Sequence, residues 1–144
     1  MKLRIDNEVM FEDFFEDTRL LGIVAPIEQY RFCWYLNQML NFDFRINNSI
    51  EIQLIKKDRK YFFPIYQYGQ QAGAIKHYLY NNEDDGEYLL PEFRHLDFLW
   101  LMKDDMMKED EIKIFIKTIK TIPVVQMVAE VTNEKIKNRQ HLVF

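Results

Sequence analysis

Three stretches between residues 50 and 80 carry the strongest constraint on the fold, because they have the two-residue periodicity of β-strands. Apolar and polar residues alternate at 50–55, and apolar or aromatic segments follow at 61–66 and 75–80. A polar turn at 56–60 and a glycine-containing turn at 69–73 separate them. Since short turns join antiparallel neighbours, the pattern predicts an antiparallel meander.

Pro64 lies inside the second of these stretches. Proline has no N–H to donate to a neighbouring strand, so its strand should either be an edge strand or be interrupted at that point. The residues after the third stretch, 81–87, are mostly acidic and predict a loop.

Two helices are predicted on either side of the meander. The first follows a short apolar strand at 20–24 and runs from Pro26, a favourable first helical residue, to about Leu40. Its apolar positions form a broad sector that suits a helix packed hard against a sheet: Ile27, Tyr30, Cys33, Trp34, Leu36 and Leu40. The second helix, at 108–121, has an apolar stripe opposite a row of lysines, and Pro123 should end it.

Further strands are predicted at 96–102 and 124–131. A polar tail at 132–140 follows, and its composition is compatible with a helix. The segment 8–17 mixes phenylalanines with acidic residues and fits either a short helix or an edge strand. The order β-α-β-β-β-β-α-β predicts one α+β domain over residues 1–144. Its expected architecture is an antiparallel sheet of about five or six strands with two main helices packed on one face.

The composition excludes several classes of partner. The formal net charge of −4 gives no basic surface for nucleic-acid phosphates, so nucleic acid is not an expected partner. Cys33 is the only cysteine and cannot form an internal disulfide, which favours a reducing compartment. The first residues lack the apolar core of a signal peptide, and no apolar run reaches the roughly 20 residues of a membrane span. We therefore expect a cytoplasmic protein without a membrane association.

Glu92, His95 and Asp97 are the most tempting candidates for chemistry. Glu-x-x-His places two possible metal ligands on one face of a helix, and a carboxylate two residues later could complete a site. Pro91, however, predicts a turn or at most a helix start, and Asp97 lies at the beginning of a strand. Capping of the turn, or pairing with Arg94, is therefore the favoured interpretation.

Other possible sites have simpler explanations. Residues 81–92 have the spacing of a calcium loop with glycine at its sixth position, but the ligand types and the preceding strand pattern favour an acidic hairpin turn. Cys33 is expected to be a buried, inert thiol, and His77 and His141 are isolated in the sequence. The aromatic residues between 61 and 80 could line a cleft or a partner surface, although core packing is favoured. No catalytic residue, metal or cofactor is predicted.

Residues 90–98 read LPEFRHLDF and resemble the signature of the IPExxxVDY family. Pro91, Glu92 and Asp97 match the signature outright, and the resemblance extends to residues 30–37 and 139–144. The resemblance implies a small bacterial protein of a family without an assigned activity. It also draws attention to one junction, where the two carboxylates could hold neighbouring loops through backbone N–H groups or could form a recognition site.

Two functions remain open from the sequence. The first is a non-catalytic module that binds a protein partner or itself, which requires an exposed apolar patch or a symmetric interface. The second is a small-molecule or metal-dependent enzyme centred on Glu92, His95 and Asp97, which requires those side chains to converge in a cleft.

Overall fold

A six-stranded antiparallel sheet forms the centre of the structure, a computed structural model that describes residues 12–69, 75–104 and 106–144. Within these residues the strands are, in chain order, β1 (Thr18–Val24), β2 (Arg45–Lys56), β3 (Arg59–Gly69), β4 (Lys76–Asn81), β5 (Glu83–Asp84), β6 (Glu87–Tyr88), β7 (Phe98–Lys103) and β8 (Met127–Val131). The large sheet has the order β2-β3-β4-β7-β1-β8, while β5 and β6 form a separate hairpin. The predicted α+β class and sheet size are confirmed.

The predicted meander is the β2-β3-β4 part of the sheet. Lys57 and Asp58 form the tight turn between β2 and β3, and both have the positive φ angles of a two-residue hairpin turn, 51° and 64°. Strand β2 begins at Arg45, five residues before the predicted start at residue 50, and its register with β3 shifts between Ile46 and Glu51. The turn predicted at 69–73 falls largely outside the described residues.

Helix α1 (Gln29–Leu40) and helix α2 (Glu109–Ile119) lie on the same face of the sheet, as predicted. Their buried side chains share one core with Leu21, Ile23 and Trp100 of the sheet. Pro26 is not the first helical residue, because a turn from Ala25 to Ile27 intervenes and α1 begins three residues later. Asn41, with a φ of 59°, ends α1.

The opposite face of the sheet is covered mainly by short and irregular segments. They are the β5–β6 hairpin, the 3₁₀ turn Pro91–Phe93, and the C-terminal segment with the 3₁₀ turns Asn133–Lys135 and Arg139–Leu142. Phe63, Tyr80 and Leu142 are fully buried in this second core. The two cores lie on opposite faces of one sheet, because successive side chains of a strand alternate between its faces.

Three local predictions need correction or completion. β3 lies between β2 and β4 and is not an edge strand. Its pairing with β4 extends only as far as Ile65, so the ladder on that side is interrupted at Pro64, which is the second predicted alternative. The acidic loop at 81–87 is a short hairpin whose turn has positive φ angles at Asp85 and Gly86. Strand β8 begins at Met127, not at residue 124, because residues before it form a turn.

Near the N-terminus, residues 12–15 are helical, which fits the helical alternative for that part of the segment 8–17, while residues 8–11 fall outside the described residues. No helix among the described residues is long and apolar enough to cross a membrane.

Candidate functional site

The junction between the β5–β6 hairpin and β7 is held by Asn82, a residue that the sequence analysis did not single out. Its side chain is fully buried. The amide nitrogen donates hydrogen bonds to the carbonyl oxygens of Phe93 and Leu96, both at 2.9 Å, and the amide oxygen accepts one from the N–H of Leu90 at 2.9 Å. One asparagine therefore satisfies three main-chain groups of the loop that contains the LPEFRHLDF segment.

Asp97 joins the same loop to the end of β1. Its Oδ2 atom accepts a hydrogen bond from the N–H of Ala25 at 2.8 Å, and its own N–H donates to the carbonyl of Ile23 at 2.8 Å. Burial raises the pKa of the Asp97 carboxyl above its ordinary value, although the bond from Ala25 acts in the opposite direction. Leu96 packs directly on Gly22 of β1, where a Cβ atom would lie 2.4 Å from the Leu96 side chain. A side chain at position 22 would therefore displace the buried Leu96 side chain from β1.

Glu92 holds the C-terminal segment. Its carboxylate accepts hydrogen bonds from the N–H of Lys137 at 2.5 Å, the N–H of Asn138 at 2.8 Å and the side-chain amide of Asn138 at 2.9 Å. Burial acts to raise the pKa of Glu92, but these hydrogen bonds outweigh it, so that the pKa lies below its ordinary value. Glu92 and Asp97 thus bind backbone N–H groups of neighbouring segments, one of the two roles that the sequence predicts for them.

The structure does not gather Glu92, His95 and Asp97 into one metal-binding group. His95 is exposed, and its ring lies 6.3 Å from that of Phe93, while the two carboxylates bind main chain in different segments. No three His, Cys, Asp or Glu side chains of the described residues are placed together to hold a metal ion. Arg94, the other predicted partner, lies 5.8 Å over the ring of Tyr88.

Two acidic residues of the calcium-like segment 81–92, Glu83 and Asp84, also bind main chain. Glu83 accepts a hydrogen bond from the N–H of Gly86 at 2.6 Å, and Asp84 accepts one from the N–H of Phe62 at 2.9 Å. Both carboxylates therefore stabilise the hairpin and its contact with β3, as expected for an acidic hairpin turn.

A cleft of about 570 Å³ lies between the junction and the N-terminus of α1. Charged side chains of both signs line it, among them Glu28, Glu83 and Asp97 on the acidic side and Arg31 and Arg94 on the basic side. Such a lining suits a polar occupant with both signs of charge, and it offers no apolar pocket for a hydrophobic ligand.

His77 is buried among aromatic rings on the helical face of the sheet. The indole N–H of Trp100 donates a hydrogen bond to its Nδ1 atom at 3.0 Å, and the rings of Tyr68 and Phe115 stack on it at 5.6 and 5.7 Å between centroids. Burial lowers the pKa of His77 to about 4, with a smaller opposing effect from the charge of Asp104. His77 is therefore neutral at pH 7 and accepts a hydrogen bond inside the core.

Among the residues that the structure describes, the most exposed aromatic side chains lie on α1. Tyr30 and Trp34 are one helical turn apart and are 62% and 57% exposed. With Arg31 and Tyr35 they line a shallow apolar groove of about 260 Å³, and the rings of Trp34 and Tyr35 meet edge to face at 5.2 Å. We call these four residues the aromatic face.

The aromatic face corrects one expectation from the sequence, which assigned Tyr30 and Trp34 to the side of the helix packed on the sheet. The residues that do pack there are Phe32, Cys33 and Leu36. The apolar sector of α1 is too broad for one sheet contact, and this excess width was the available signal. Cys33 is buried as predicted, and burial raises the pKa of its thiol to about 12.

A scan of the chain against models of protein families gave no match, and a search of curated proteins gave none either. The resemblance of residues 90–98 to the IPExxxVDY signature stays a prediction.

Proposed function

We propose that this chain is a non-catalytic module that binds a protein partner through the aromatic face of α1. The observation that carries the proposal is the exposure of Trp34 and Tyr30 on adjacent turns of a helix whose other side is anchored in the core. Tryptophan, tyrosine and arginine dominate the residues that contribute most to protein–protein binding.

The helix backbone beneath the aromatic face is anchored in the core. Phe32 and Leu36 are fully buried on the inner side of α1, and the amide of Gln29 donates hydrogen bonds to the carbonyls of Pro64 and Leu79 at 3.1 and 3.0 Å. A partner would therefore meet side chains on a fixed backbone and would lose little affinity to ordering of the site.

The charge pattern of α1 supports the same function. Arg31 is the only charged residue among the twelve of the helix. Interface cores are depleted of charged residues and enriched in aromatic residues and arginine, whereas helix surfaces that only face water usually carry many charges.

The alternative function, an enzyme centred on Glu92, His95 and Asp97, has less support. Both carboxylates are bound to main-chain N–H groups, which are contacts of a structural role, and His95 is separated from them. The cleft beside the junction contains Asp97 but neither Glu92 nor His95 among its lining residues.

Photo-cross-linking tests the proposal directly. A photoreactive phenylalanine analogue at position 34, in the full chain within its native cells, should give a discrete cross-linked protein. The matched control is the same analogue at position 114 on α2, because Ile114 is a similarly exposed apolar residue at 64%. The affinity for the partner identified in this way is then compared between wild type and the variants. Trp34→Ala should bind it at least tenfold more weakly than wild type, about 1.4 kcal/mol. Ile114→Ala should bind it as wild type does. Unchanged capture by a Tyr30→Ala/Trp34→Ala double variant would contradict the proposal.

A further inference from the structure

Strand β2 is the outermost strand on one side of the sheet, and it is twelve residues long, whereas β8 at the other side has five. Within the described ranges, no strand pairs with the outer side of β2. An edge strand exposes a row of unpaired N–H and C=O groups that can pair with another strand.

The contacts of β3 show which main-chain groups point away from β2. The N–H of Phe62 donates to the carboxylate of Asp84, and the carbonyl of Pro64 accepts a hydrogen bond from the Gln29 side chain. Both partners lie on the side of β3 opposite to β2. The N–H and C=O of one residue point to the same side of a strand. The main-chain groups of the even-numbered residues of β3 therefore point away from β2.

The register then assigns the free groups on β2. Gln53 is opposite Phe62 and therefore directs its own N–H and C=O to the outside of the sheet, as do Glu51 and Ile55 two residues away on each side. The turn leads to the same assignment. Lys56 and Arg59 flank a two-residue turn and are therefore hydrogen-bonded to each other. Because main-chain groups alternate along a strand, those of Ile55 and Gln53 point outward.

This edge has few of the features that usually prevent strands from pairing. Between residues 51 and 55 there is no proline and only one charged residue, Glu51, and the register irregularity lies earlier, between Ile46 and Glu51. The side chains of Glu51, Gln53 and Ile55 are all exposed. Proteins commonly block such edges with lysine, proline or a bulge within the strand.

We propose that two copies of this chain pair through residues 51–55 of β2, antiparallel about a two-fold axis at Gln53. In this register Gln53 is opposite Gln53 of the second copy, and Glu51 is opposite Ile55. Each of the three opposed pairs exchanges two main-chain hydrogen bonds, so every outward N–H and C=O of the segment finds a partner. The two sheets become one continuous sheet.

The side chains favour a second copy over an unrelated strand. No like charges lie opposite each other in this register. Glu51 is opposite Ile55 of the second copy, and Lys57 of that copy is only two residues further along the chain. On the other side of the sheet, Ile52 is opposite Leu54 of the second copy, which extends the apolar cluster that contains both residues. A shift of the register by two residues leaves outward groups unpaired.

Charge reversal at the two-fold axis is the test. Sedimentation velocity of the full chain at about 10 µM to 1 mM should show a reversible monomer–dimer equilibrium. Gln53→Lys and Gln53→Glu should each weaken dimerisation at least tenfold, because like charges face each other at the axis. An equimolar mixture of the two variants should restore dimerisation to within about threefold of wild type.

Gln126→Lys is the matched control, because Gln126 is also exposed but lies before β8 at the other edge. It should leave the dimer unchanged, and circular dichroism should show that all three variants are folded. A monomer at every concentration, or a mixture that fails to restore pairing, would overturn the proposal. Dimerisation lost in Trp34→Ala but kept in Gln53→Lys would overturn it as well, and would assign self-association to the aromatic face.

Discussion

The two faces of the sheet are covered in different ways. On one face, α1 and α2 pack through apolar side chains such as Leu36 and Ile112. On the other, short segments with little regular structure cover a core of similar composition, and buried or half-buried polar residues hold them in place. Those residues are Asn82, Glu92 and Asp97.

The difference follows from the needs of the main chain. A helix satisfies most of its own N–H and C=O groups, so a helical cover requires only an apolar stripe. An irregular segment leaves these groups without partners inside it, and burying them unpaired is costly. The polar residues that resemble a catalytic cluster in the sequence are therefore the ones that an irregular cover requires.

Asn82→Ala should give the largest effect of the changes that test this comparison. It removes the partners of three main-chain groups at the junction, all within a buried or half-buried site. An unsatisfied buried group costs about 1–3 kcal/mol, and partial access of water reduces the sum, so we expect a loss of about 4 kcal/mol in the free energy of unfolding. Urea unfolding measures it.

The control on the helical face is Leu36→Ala, which should cost about 2–5 kcal/mol through the cavity it leaves. The two variants should differ in what is lost. Hydrogen exchange should rise locally at residues 89–97 in Asn82→Ala, whereas Leu36→Ala should lower protection throughout the core. A loss below about 1 kcal/mol in Asn82→Ala would show that the junction does not depend on this side chain.

His77 is the polar exception on the helical face and makes that face sensitive to pH. Its pKa is about 4 in the folded chain, against 6.5 in the unfolded chain. Between these values the unfolded chain binds a proton that the folded chain does not bind. Protonation of His77 therefore has no effect on the free energy of unfolding above pH 6.5. As the pH falls from 6.5 towards 4, it lowers the free energy of unfolding by about 3 kcal/mol in total.

Urea unfolding of wild type and His77→Phe at pH 7, 5.5 and 4.5 measures this loss. The variant should be less stable at pH 7, because the indole N–H of Trp100 loses its acceptor, but it should lose less stability on acidification. Equal slopes against pH in the two proteins would contradict the buried, neutral state of His77.

Glu92→Gln should have a smaller effect, confined to the irregular face. The amide oxygen can still accept the N–H groups of Lys137 and Asn138 that Oε2 now binds, but without the negative charge that strengthens these bonds. The NH₂ group replaces Oε1, so the side-chain amide of Asn138 loses its acceptor. Because the carboxylate is only partly buried and its interactions are screened by solvent, we expect a loss of only about 1 kcal/mol. Amide hydrogen exchange at residues 137 and 138 should become several-fold faster. The control is Glu87→Gln, because Glu87 is a half-buried glutamate on β6, and this substitution should leave exchange at residues 137 and 138 unchanged.

Much of the fold follows from the sequence because periodicity is a local property. Alternation in β2 and the apolar stripe of α2 each depend on residues within one element, and both elements were predicted. The ends of elements were predicted less well. Pro26 satisfies the preference for the first turn of a helix, yet the turn at Ala25 delays the start of α1.

The roles of the polar residues could not be predicted in the same way. Asn82 and the C-terminal Asn138 contact groups that are 8 to 46 positions away in the sequence. No local pattern records such pairings, so spacing alone suggested a metal site for Glu92 and His95. The sequence located the junction through Pro91 and its neighbours, but only the contacts identify what its carboxylates bind.

Trp34→Ser should give the smallest change in stability and thereby separates the aromatic face from the core beneath it. Trp34 is 57% exposed, and exposed side chains outside special contacts change stability by about 0.5 kcal/mol or less. Trp100→Phe, at a fully buried site that bonds His77, should instead cost at least about 1 kcal/mol. Urea unfolding of both variants tests the contrast. A cost above about 1.5 kcal/mol for Trp34→Ser would show that the aromatic face stabilises the fold, and the reason to interpret its exposure as a binding surface would be lost.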